Sequence, residues 1–473
     1  MKVTLIHCSF IYTGGGERIV LEQLSHLKAA GYTVECYAPI VDFKNCFPDI
    51  IREYNIKTFL PQLPRWFPLR HAILLLLSCL LIPFFAFGFR KTDVFIGENQ
   101  PGAWLAFVLA RLLRKPYITF LNHPNRILYP REHEDWATVS DFKFLNTIFR
   151  YVKPILSYLD RISITGASKR FVNGYFIGQE IERIYHCDWI PCPSGTNYLE
   201  NIAERTITLH ERVEQRYSSV SDSFYPRRHF SYWDNQRHIT MEQRKTHGNL
   251  VGGEIDNVFL SQHLLYSSDL SSPLMLNTSH NVNGFDITLT FILYTGRHQP
   301  WKRIDWLIES FSLLQTIHKR TNVYLVIPGS FTPHTLELRE LAAQLGVQDY
   351  VVFLGDIDQE QLLALYRHAT IYAFPSERED FGIVVIEAMG QGLPVVAWNV
   401  GGPTDTVVDG VTGFLVSAYD KHQYSERLNE LLEKPFLRLQ MGKEGIARVR
   451  EKFSWDLHVS VLAKGLTDQL TRQ

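Results

Sequence analysis

The sequence has little net charge and few cysteines, and both shortages exclude classes of function. Its 473 residues carry 48 Lys and Arg against 49 Asp and Glu, a net charge of −1 at neutral pH. A protein whose main partner is DNA or RNA usually shows a basic surface, so this balance argues against nucleic acid. The 6 cysteines form no Cys-x-x-Cys pair. Their spacing favours free thiols in a reducing compartment over a disulfide framework or a metal site.

The N-terminal sequence also lacks the pattern of a signal peptide. Residues 3–8 (Val-Thr-Leu-Ile-His-Cys) form an apolar run that is too short for a secretion signal and that predicts a buried strand. We therefore expect the folded body to lie in the cytoplasm. Hydrophobic residues make up 45% of the composition, and a chain of this length can bury the cores of two domains.

One stretch combines a strand, a glycine-containing loop and the start of a helix. The apolar run 369–374 predicts a buried strand, and the apolar run 383–389, after Gly382, predicts a helix. Such a layout directs free backbone N–H groups towards an anion. Glu379 lies in the loop and Glu387 about one turn into the helix, so both can face one polyhydroxylated ligand. The alternative is that Glu379 caps the helix dipole and Glu387 is solvated, although an unpaired carboxylate in an apolar run is costly.

A second glycine loop follows the first predicted strand. Residues 13–18 (Thr-Gly-Gly-Gly-Glu-Arg) lead into the amphipathic run 19–30, which predicts a helix. A phosphate commonly meets a helix N-terminus at such a loop. Ile19 stands where the dinucleotide fingerprint G-x-G-x-x-G requires its third glycine, so the sequence disfavours NAD.

Strand-like and helical runs alternate along most of the chain, and one of the predicted strands is 162–165. This alternation predicts α/β domains with parallel sheets, whose functional loops lie at the C-terminal ends of the strands. His123, Arg297 and Lys302 all fall in loops that follow predicted strands. The two cations are well placed to bind a diphosphate. Solvated surface charges and a structural histidine are the alternatives.

One uncharged run, residues 71–89, departs from an ordinary globular pattern. Its length is near the minimum for a membrane span, but a span would split the first sheet between its second and third strands. A buried core helix and a helix lying in a membrane surface are the other two possibilities. We expect the surface helix, because 19 uncharged residues exceed what one core-facing stripe needs.

These motifs together resemble the retaining GT-B glycosyltransferases of family 4. The pattern Glu-x7-Glu, with Phe-Gly after the first Glu and Ala-Met after the second, is similar to that family's donor-sugar signature. Three further elements are similar to other family motifs: the 13–18 loop, Gly-Arg-x4-Lys at 296–302, and Asn-His-Pro-Asn-Arg at 122–126. The resemblance implies an α/β protein with two Rossmann-like, doubly wound parallel-sheet domains that face each other across a cleft.

The resemblance also implies the domain boundaries. It places an acceptor-side domain at 1–195 and a nucleotide-sugar domain at 286–453, and a last helix, 454–473, would cross back onto the first domain. The segment 196–285 departs from the family, which has a much shorter connection here. Its polar sequence predicts an insertion that is ordered only in part.

The implied activity is retaining, metal-independent transfer of a hexose to an acceptor hydroxyl. The UDP- or GDP-linked donor would be a substrate, and no cofactor or metal is expected. The acceptor would be a lipid-linked or surface glycan, because the residues around Cys46 resemble mannosyltransferases of lipid-linked oligosaccharide assembly. The enzyme would then lie peripherally on the cytoplasmic face of a membrane. Alternatives are a GT-B epimerase or sugar-phosphate synthase, and a non-catalytic membrane-associated binding protein.

The resemblance assigns roles to individual residues. The cations would neutralise the leaving diphosphate, Glu387 would bind the ribose hydroxyls, and Glu379 with the backbone N–H groups of 381–383 would bind the sugar. His123 would contact the sugar near the reacting carbon. The implied catalytic residues are His123, Arg297, Lys302 and Glu379. The implied donor-binding residues are Gly15, Gly16, Gly296, Ile357, Phe381, Gly382, Ile383 and Glu387.

Overall fold

The computed structural model describes residues 1–64, 66–67, 69–131, 143–199, 279–282, 285–288 and 290–470. Most of the predicted insertion, 200–278, lies outside these ranges. The described residues form two α/β domains, each built on one parallel sheet, as the alternating sequence pattern predicted.

The first sheet has seven parallel strands in the order β3-β2-β1-β4-β5-β6-β7. Strand β4 is buried at every residue, as expected for a sheet covered by helices on both faces. Its strands are β1 Lys2–Ile6, β2 Thr33–Ala38, β3 Lys57–Thr58, β4 Val94–Glu98, β5 Tyr117–Leu121, β6 Arg170–Val172 and β7 Ile190–Pro191. Its helices are α1 Gly15–Ala29, α2 Pro48–Glu53, α3 Arg70–Phe85, α4 Asn99–Leu113, α5 Lys143–Thr165 and α6 Tyr175–Tyr185, with a 3-10 turn, Ala86–Phe89, after α3.

The second sheet has six parallel strands in the order β12-β11-β10-β13-β14-β15, and an antiparallel hairpin of β8 and β9 precedes it along the chain. The strands are β8 Ser279–Val282, β9 Phe285–Thr288, β10 Thr290–Leu293, β11 Val323–Pro328, β12 Val351–Leu354, β13 Ile371–Phe374, β14 Val395–Trp398 and β15 Gly413–Val416. The helices are α7 Ile304–Thr316, α8 Pro333–Gln344, α9 Gln359–His368, α10 Ile383–Gly390, α11 Pro403–Thr406, α12 Lys421–Glu433, α13 Pro435–Lys452 and α14 Trp455–Leu470, with a 3-10 turn at Pro300–Lys302.

The last helix, α14, leaves the second domain and packs on the first. Trp455, Val459, Leu462 and Leu466 are buried together with the apolar side chains of β1 and α1. Gly195, where the first domain ends, lies directly under this helix, since an added Cβ would be 2.3 Å from the Trp455 backbone nitrogen. The two domains are therefore joined at two places along the chain.

The predicted strand at 162–165 was wrong, because these residues end helix α5. Asp160, Ser163 and Ile164 are buried, and their spacing of three and four residues places them on one face of a helix. The strand of this region is β6, only three residues long, at 170–172.

The apolar run forms helix α3 and the short 3-10 turn after it. By length and composition the segment Arg70–Phe89 could cross a membrane, yet it connects β3 to β4, which lie in the same sheet. Leu74, Ser78 and Ile82 face the domain, one helical turn apart, and α3 packs beside α4. Only 28% of its most apolar window is buried. Most residues of this segment are therefore at least partly exposed, unlike those of a core helix.

Candidate active site

Loops that follow the strands of the two sheets touch each other at the cleft between the domains. The glycine loop of the first domain ends at Gly14, the N-cap of α1. A Cβ added to Gly15 would lie 3.4 Å from the Ile383 Cδ1 atom at the start of α10, whereas one added to Gly16 would meet no atom within 4 Å. Gly15 thus faces the second domain directly, whereas the open space at Gly16 leaves room for a small side chain.

The signature loop of the second domain is held by close backbone contacts. Gly382 adopts φ 87°, a left-handed conformation that favours glycine, and α10 begins at the next residue without a side-chain cap. Phe381 is buried, and a Cβ on Gly402 would lie 2.3 Å from its Cα. The Gly402 N–H also donates to the Glu379 carbonyl at 2.8 Å. This packing fixes the loop that carries Glu379 against the start of α10.

Glu387 is buried on α10 and has partners in both domains. Only 2% of its side chain is exposed, and its Oε1 accepts a hydrogen bond from the Arg18 guanidinium of the first domain. Tyr366 donates to Oε2 at 3.2 Å. Burial raises the pKa of Glu387, while Arg18 acts in the opposite direction. The alternative of an ordinary solvated helix residue is therefore wrong.

Glu379 pairs with a cation instead of capping the helix. Its Oε2 lies 2.7 Å from the Lys302 Nζ, and both side chains are partly exposed. Lys302 ends the 3-10 turn that follows β10, so two neighbouring strands of the sheet, β10 and β13, bring the pair together. The structure thus joins two of the residues that the sequence analysis singled out.

Arg297 reaches towards the first domain from the loop after β10. Its guanidinium carbon lies 5.5 Å from the centre of the Tyr12 ring. Gly296 before it adopts φ 150°, and Gly329 approaches so closely that a Cβ there would be 1.9 Å from the Gly296 carbonyl oxygen. Glycine at both positions lets two strand ends meet directly beneath Arg297.

His123 lies at the C-terminal end of β5, beside a second histidine. One ring nitrogen, Nδ1, is 2.9 Å from the Pro124 carbonyl oxygen. His7, which follows β1, is buried, and burial together with the nearby His123 lowers its pKa to about 3. Burial thus favours the neutral form of His7, which lies near His123 at the same edge of the sheet. The sequence analysis did not single it out.

Ile357 follows β12, where it packs partly buried against the core of the second domain. Its proposed donor-binding role stays a prediction from the resemblance alone.

Further contacts across the cleft were missed by the sequence analysis. Arg126 donates to Asp380 at 3.0 Å and to Glu180 at 2.6 Å, and Arg131 also pairs with Asp380. The Phe176 N–H donates to Asp405 at 2.8 Å. The Arg18 guanidinium lies 5.4 Å from the ring of Tyr198, which lies beyond Gly195 and is buried in the core of the second domain. Arg18 and Arg126 stand in the quoted motifs, so the sequence did carry a signal for both.

Comparison with known proteins agrees with this architecture. The family model for glycosyl transferases group 1 matches residues 277–448. A D-inositol 3-phosphate glycosyltransferase of Streptomyces avermitilis is 38% identical over 177 residues, which are 36% of this chain and 38% of that protein. The same enzyme of Corynebacterium efficiens is 34% identical over 195 residues, 40% of this chain and 45% of that protein. This chain thus matches less than half the length of these curated relatives.

Solved structures match the chain over its full length. A glycosyltransferase of Rickettsia africae superposes with a TM-score of 0.63 at 16% identity, covering 100% of this chain and 99% of that one. The Anabaena protein HepE in complex with UDP superposes with a TM-score of 0.63 at 16% identity, covering 99% of this chain and 100% of that one. A sucrose-phosphate synthase of Thermosynechococcus elongatus superposes with a TM-score of 0.63 at 19% identity, covering 100% of both chains. The chain therefore has the GT-B fold, and its residues 277–448 match the glycosyl transferases group 1.

Proposed function

We propose that the protein transfers a hexose from a nucleotide-sugar to an acceptor hydroxyl, with retention at the anomeric carbon. The observation that carries this proposal is the placement of two cations and two carboxylates beside the first domain. Arg297 and Lys302 follow β10, whereas Glu379 and Glu387 lie in the loop and the helix that follow the adjacent strand β13. The match to glycosyl transferases group 1 covers these four residues. Binding of UDP by a protein of the same fold, HepE, supports a nucleotide-linked donor.

The four side chains suit different parts of such a donor. Glu387 would accept hydrogen bonds from the ribose hydroxyls, and Glu379 with the N–H groups at the start of α10 would bind the sugar. Arg18 now occupies one oxygen of Glu387, so donor binding would displace it or confine the ribose to the other oxygen. Loading the donor would therefore change a contact between the domains.

The chemistry would be electrostatic and would require no metal ion. As the bond from the anomeric carbon to the diphosphate breaks, negative charge develops on the leaving oxygen, and Arg297 and Lys302 would stabilise it. The acceptor hydroxyl would attack on the face that the diphosphate leaves and give its proton to a phosphate oxygen. His123 would contact the sugar close to the reacting carbon. Nucleoside diphosphate and a glycoside of unchanged anomeric configuration are then the products.

A panel of nucleotide-sugars separates this function from its two alternatives. A glycosyltransferase releases nucleoside diphosphate and yields a glycoside or, with water as the acceptor, the free hexose. An epimerase converts the nucleotide-sugar without releasing nucleoside diphosphate, a sugar-phosphate synthase yields a sugar joined to a sugar phosphate, and a binding protein yields no product. Chromatography with mass detection of all species identifies which of these occurs. A new nucleotide-sugar without released diphosphate would overturn the proposed transfer.

We further propose a lipid-linked acceptor and peripheral attachment to the cytoplasmic face of a membrane. The support is the exposed face of α3, where Leu76 is 60% exposed, Leu80 61% and Phe84 80%. Helix α5 packs on the same neighbour, α4, and also exposes apolar side chains, with Tyr151 at 78% and Ile155 at 61%. Two helices that both pack beside α4 and expose apolar side chains suit the acyl boundary of a bilayer.

Vesicle co-sedimentation tests this attachment. We expect wild-type protein to bind vesicles with anionic lipid more strongly than neutral vesicles, and less strongly at high salt. Arg90 and Lys91, which follow the 3-10 turn after α3, would contribute about 1 kcal/mol each. Leu80→Asp should weaken binding. Leu336→Asp is the matched control, because Leu336 is also 61% exposed but belongs to the second domain. Equal binding by both variants, or no binding by the wild type, would contradict the attachment.

A further inference from the structure

A cavity of about 200 Å³ opens in the first domain beside strands β2 and β3. Its walls are the loop after β2, residues 40–44, two residues after β3, and the first turn of α3. It lies beyond the C-terminal ends of these strands, where ligands of open α/β sheets bind. The lining contains none of the residues assigned to the donor.

The polar lining of this cavity favours an anion. Lys44, Arg70 and His71 line it, and among the described residues neither Lys44 nor Arg70 has an ion-pair partner. The one acidic lining residue, Asp42, accepts hydrogen bonds from the backbone N–H groups of Lys44 and Asn45 at 3.1 and 3.3 Å. Helix α3 begins here without a side-chain cap, so its positive end adds to the two cations.

The wall of the cavity continues into the cleft. The Asp42 N–H donates to the Phe10 carbonyl at 2.7 Å, and the Cys46 thiol donates to the Tyr12 carbonyl at 2.9 Å. The Tyr12 ring in turn lies against Arg297, which we propose binds the leaving diphosphate. Residues 10–12 therefore connect the cavity with the cleft, on the side of the first domain that we propose binds the acceptor.

The opposite wall leads onto the apolar face of α3. Leu74 lines the cavity, and the exposed Leu77, Leu80 and Phe84 follow it along the helix at spacings of three and four residues. Leu77, Leu80 and Phe84 thus form one exposed stripe, which begins one turn after Leu74. Cations at one end and an exposed apolar stripe leading away from them match an anionic head joined to a long apolar chain.

We propose that this cavity binds the phosphate group of a lipid-linked acceptor, with Lys44 and Arg70 as its ligands and the lipid chain along α3. The inference rests on the proposed function, because it names the class of acceptor and the residues that hold it. It places the acceptor phosphate at a subsite separate from Arg297 and Lys302, which serve the donor.

The test uses full-length protein and three probes, measured by titration calorimetry. These are hexyl phosphate, hexyl glucoside, which lacks the charge, and inorganic phosphate, which lacks the chain. We expect the wild type to bind hexyl phosphate about tenfold more tightly than either of the others. The double variant Lys44→Gln/Arg70→Gln should lose about tenfold or more of this affinity. Lys91→Gln is the matched control for this soluble probe, since the cation follows the 3-10 turn beyond the other end of α3, and this variant should bind hexyl phosphate as the wild type does.

Unchanged hexyl phosphate affinity in the double variant would overturn the proposal, and so would inorganic phosphate binding as tightly as hexyl phosphate.

Vesicles with and without phosphatidylserine distinguish the two sources of a lipid phosphate, the acceptor and the bilayer. If the double variant loses more vesicle binding than Lys91→Gln but keeps hexyl phosphate, the cations serve the bilayer and the acceptor assignment is wrong. Titration with UDP and GDP checks the proposed function separately. If the protein binds UDP or GDP but not hexyl phosphate, only the acceptor site is rejected. If it binds hexyl phosphate but neither nucleotide, only the donor site is rejected.

Discussion

Arg18 of the first domain pairs with Glu387 of the second, although 369 residues separate them in the sequence. The carboxylate is almost fully buried, and Arg18 also lies over the ring of Tyr198. The pair bridges the cleft at the carboxylate that we propose binds the ribose. The Glu387 carboxylate therefore takes part both in the contact between the domains and in the proposed binding of the donor.

Replacing Arg18 by methionine should destabilise the protein by about 3 kcal/mol at neutral pH. Removing one partner of a buried ion pair costs about 3–5 kcal/mol, and we expect the lower value because 22% of the Arg18 side chain is exposed. Without Arg18 the pKa of Glu387 should rise further, since burial already raises it. A raised carboxyl pKa means that the folded state binds the proton more readily, so the deficit should shrink as pH falls.

Chemical denaturation at about pH 8 and about pH 5.5 measures this deficit. Arg52→Met is the matched control, because the Arg52 side chain is 63% exposed in its pair with Asp49, and surface changes of this kind alter stability by about 0.5 kcal/mol or less. A deficit for Arg18→Met that is no larger than that of the control would show that the bridge is unimportant.

The two signature carboxylates should differ in which ligands they affect. Glu387→Ala should weaken the binding of free nucleoside diphosphate as well as that of the nucleotide-sugar, because both ligands contain the ribose. Glu379→Ala should weaken only the binding of the nucleotide-sugar, because the proposed partner of Glu379 is the hexose. Calorimetric titration of both variants with both ligands measures the difference. Equal losses in the two variants would contradict the assignment.

The two cations after β10 should act mainly on turnover. Arg297→Ala and Lys302→Ala should each lower kcat, at a cost of about 2.7–4 kcal/mol, because the full charge of the leaving diphosphate develops only in the transition state. Donor affinity should fall much less. Steady-state kinetics give both quantities, and Arg303→Ala, beside Lys302 but paired with Asp305, serves as a control. An unchanged kcat with only a raised KM would reject this role.

The sequence was sufficient to predict the parallel sheets and most of the cleft loops, because apolar strands and glycine loops are local patterns. Contacts between the domains were not predictable in this way. Nothing local to Arg126 shows that it pairs with Asp380, which is 254 residues away. The short strand 170–172 was also missed, since three residues carry too little pattern. Tertiary packing decided that 162–165 belongs to a helix in spite of its β-branched residues.

A buried histidine under α14 should make stability depend on pH. His458 is fully buried, its Nδ1 lies 2.9 Å from the Pro193 carbonyl, and its Nε2 lies 3.0 Å from the Gln23 side-chain nitrogen. Burial lowers its pKa to about 4. A lowered histidine pKa means that its stabilising contribution is complete above about pH 6.5, the unfolded value, and is lost as pH falls towards the folded value.

We therefore expect the stability advantage of the wild type over His458→Gln to shrink by about 2 kcal/mol between about pH 7.5 and about pH 5. Urea denaturation at both pH values measures it. His422→Gln, on the exposed surface of α12, is the control and should show no such pH dependence. A difference between wild type and His458→Gln that is constant over this range would contradict the buried neutral histidine.

The proposed reaction itself is tested most directly by the anomeric configuration of its first product. Proton NMR can follow wild-type protein incubated with α-linked UDP- and GDP-hexoses, with Arg297→Ala as a control for the site. We predict release of nucleoside diphosphate together with an α-configured hexose or glycoside, and a much slower reaction in the variant. A β-configured first product, or the same rate in both proteins, would contradict retaining transfer at this cleft.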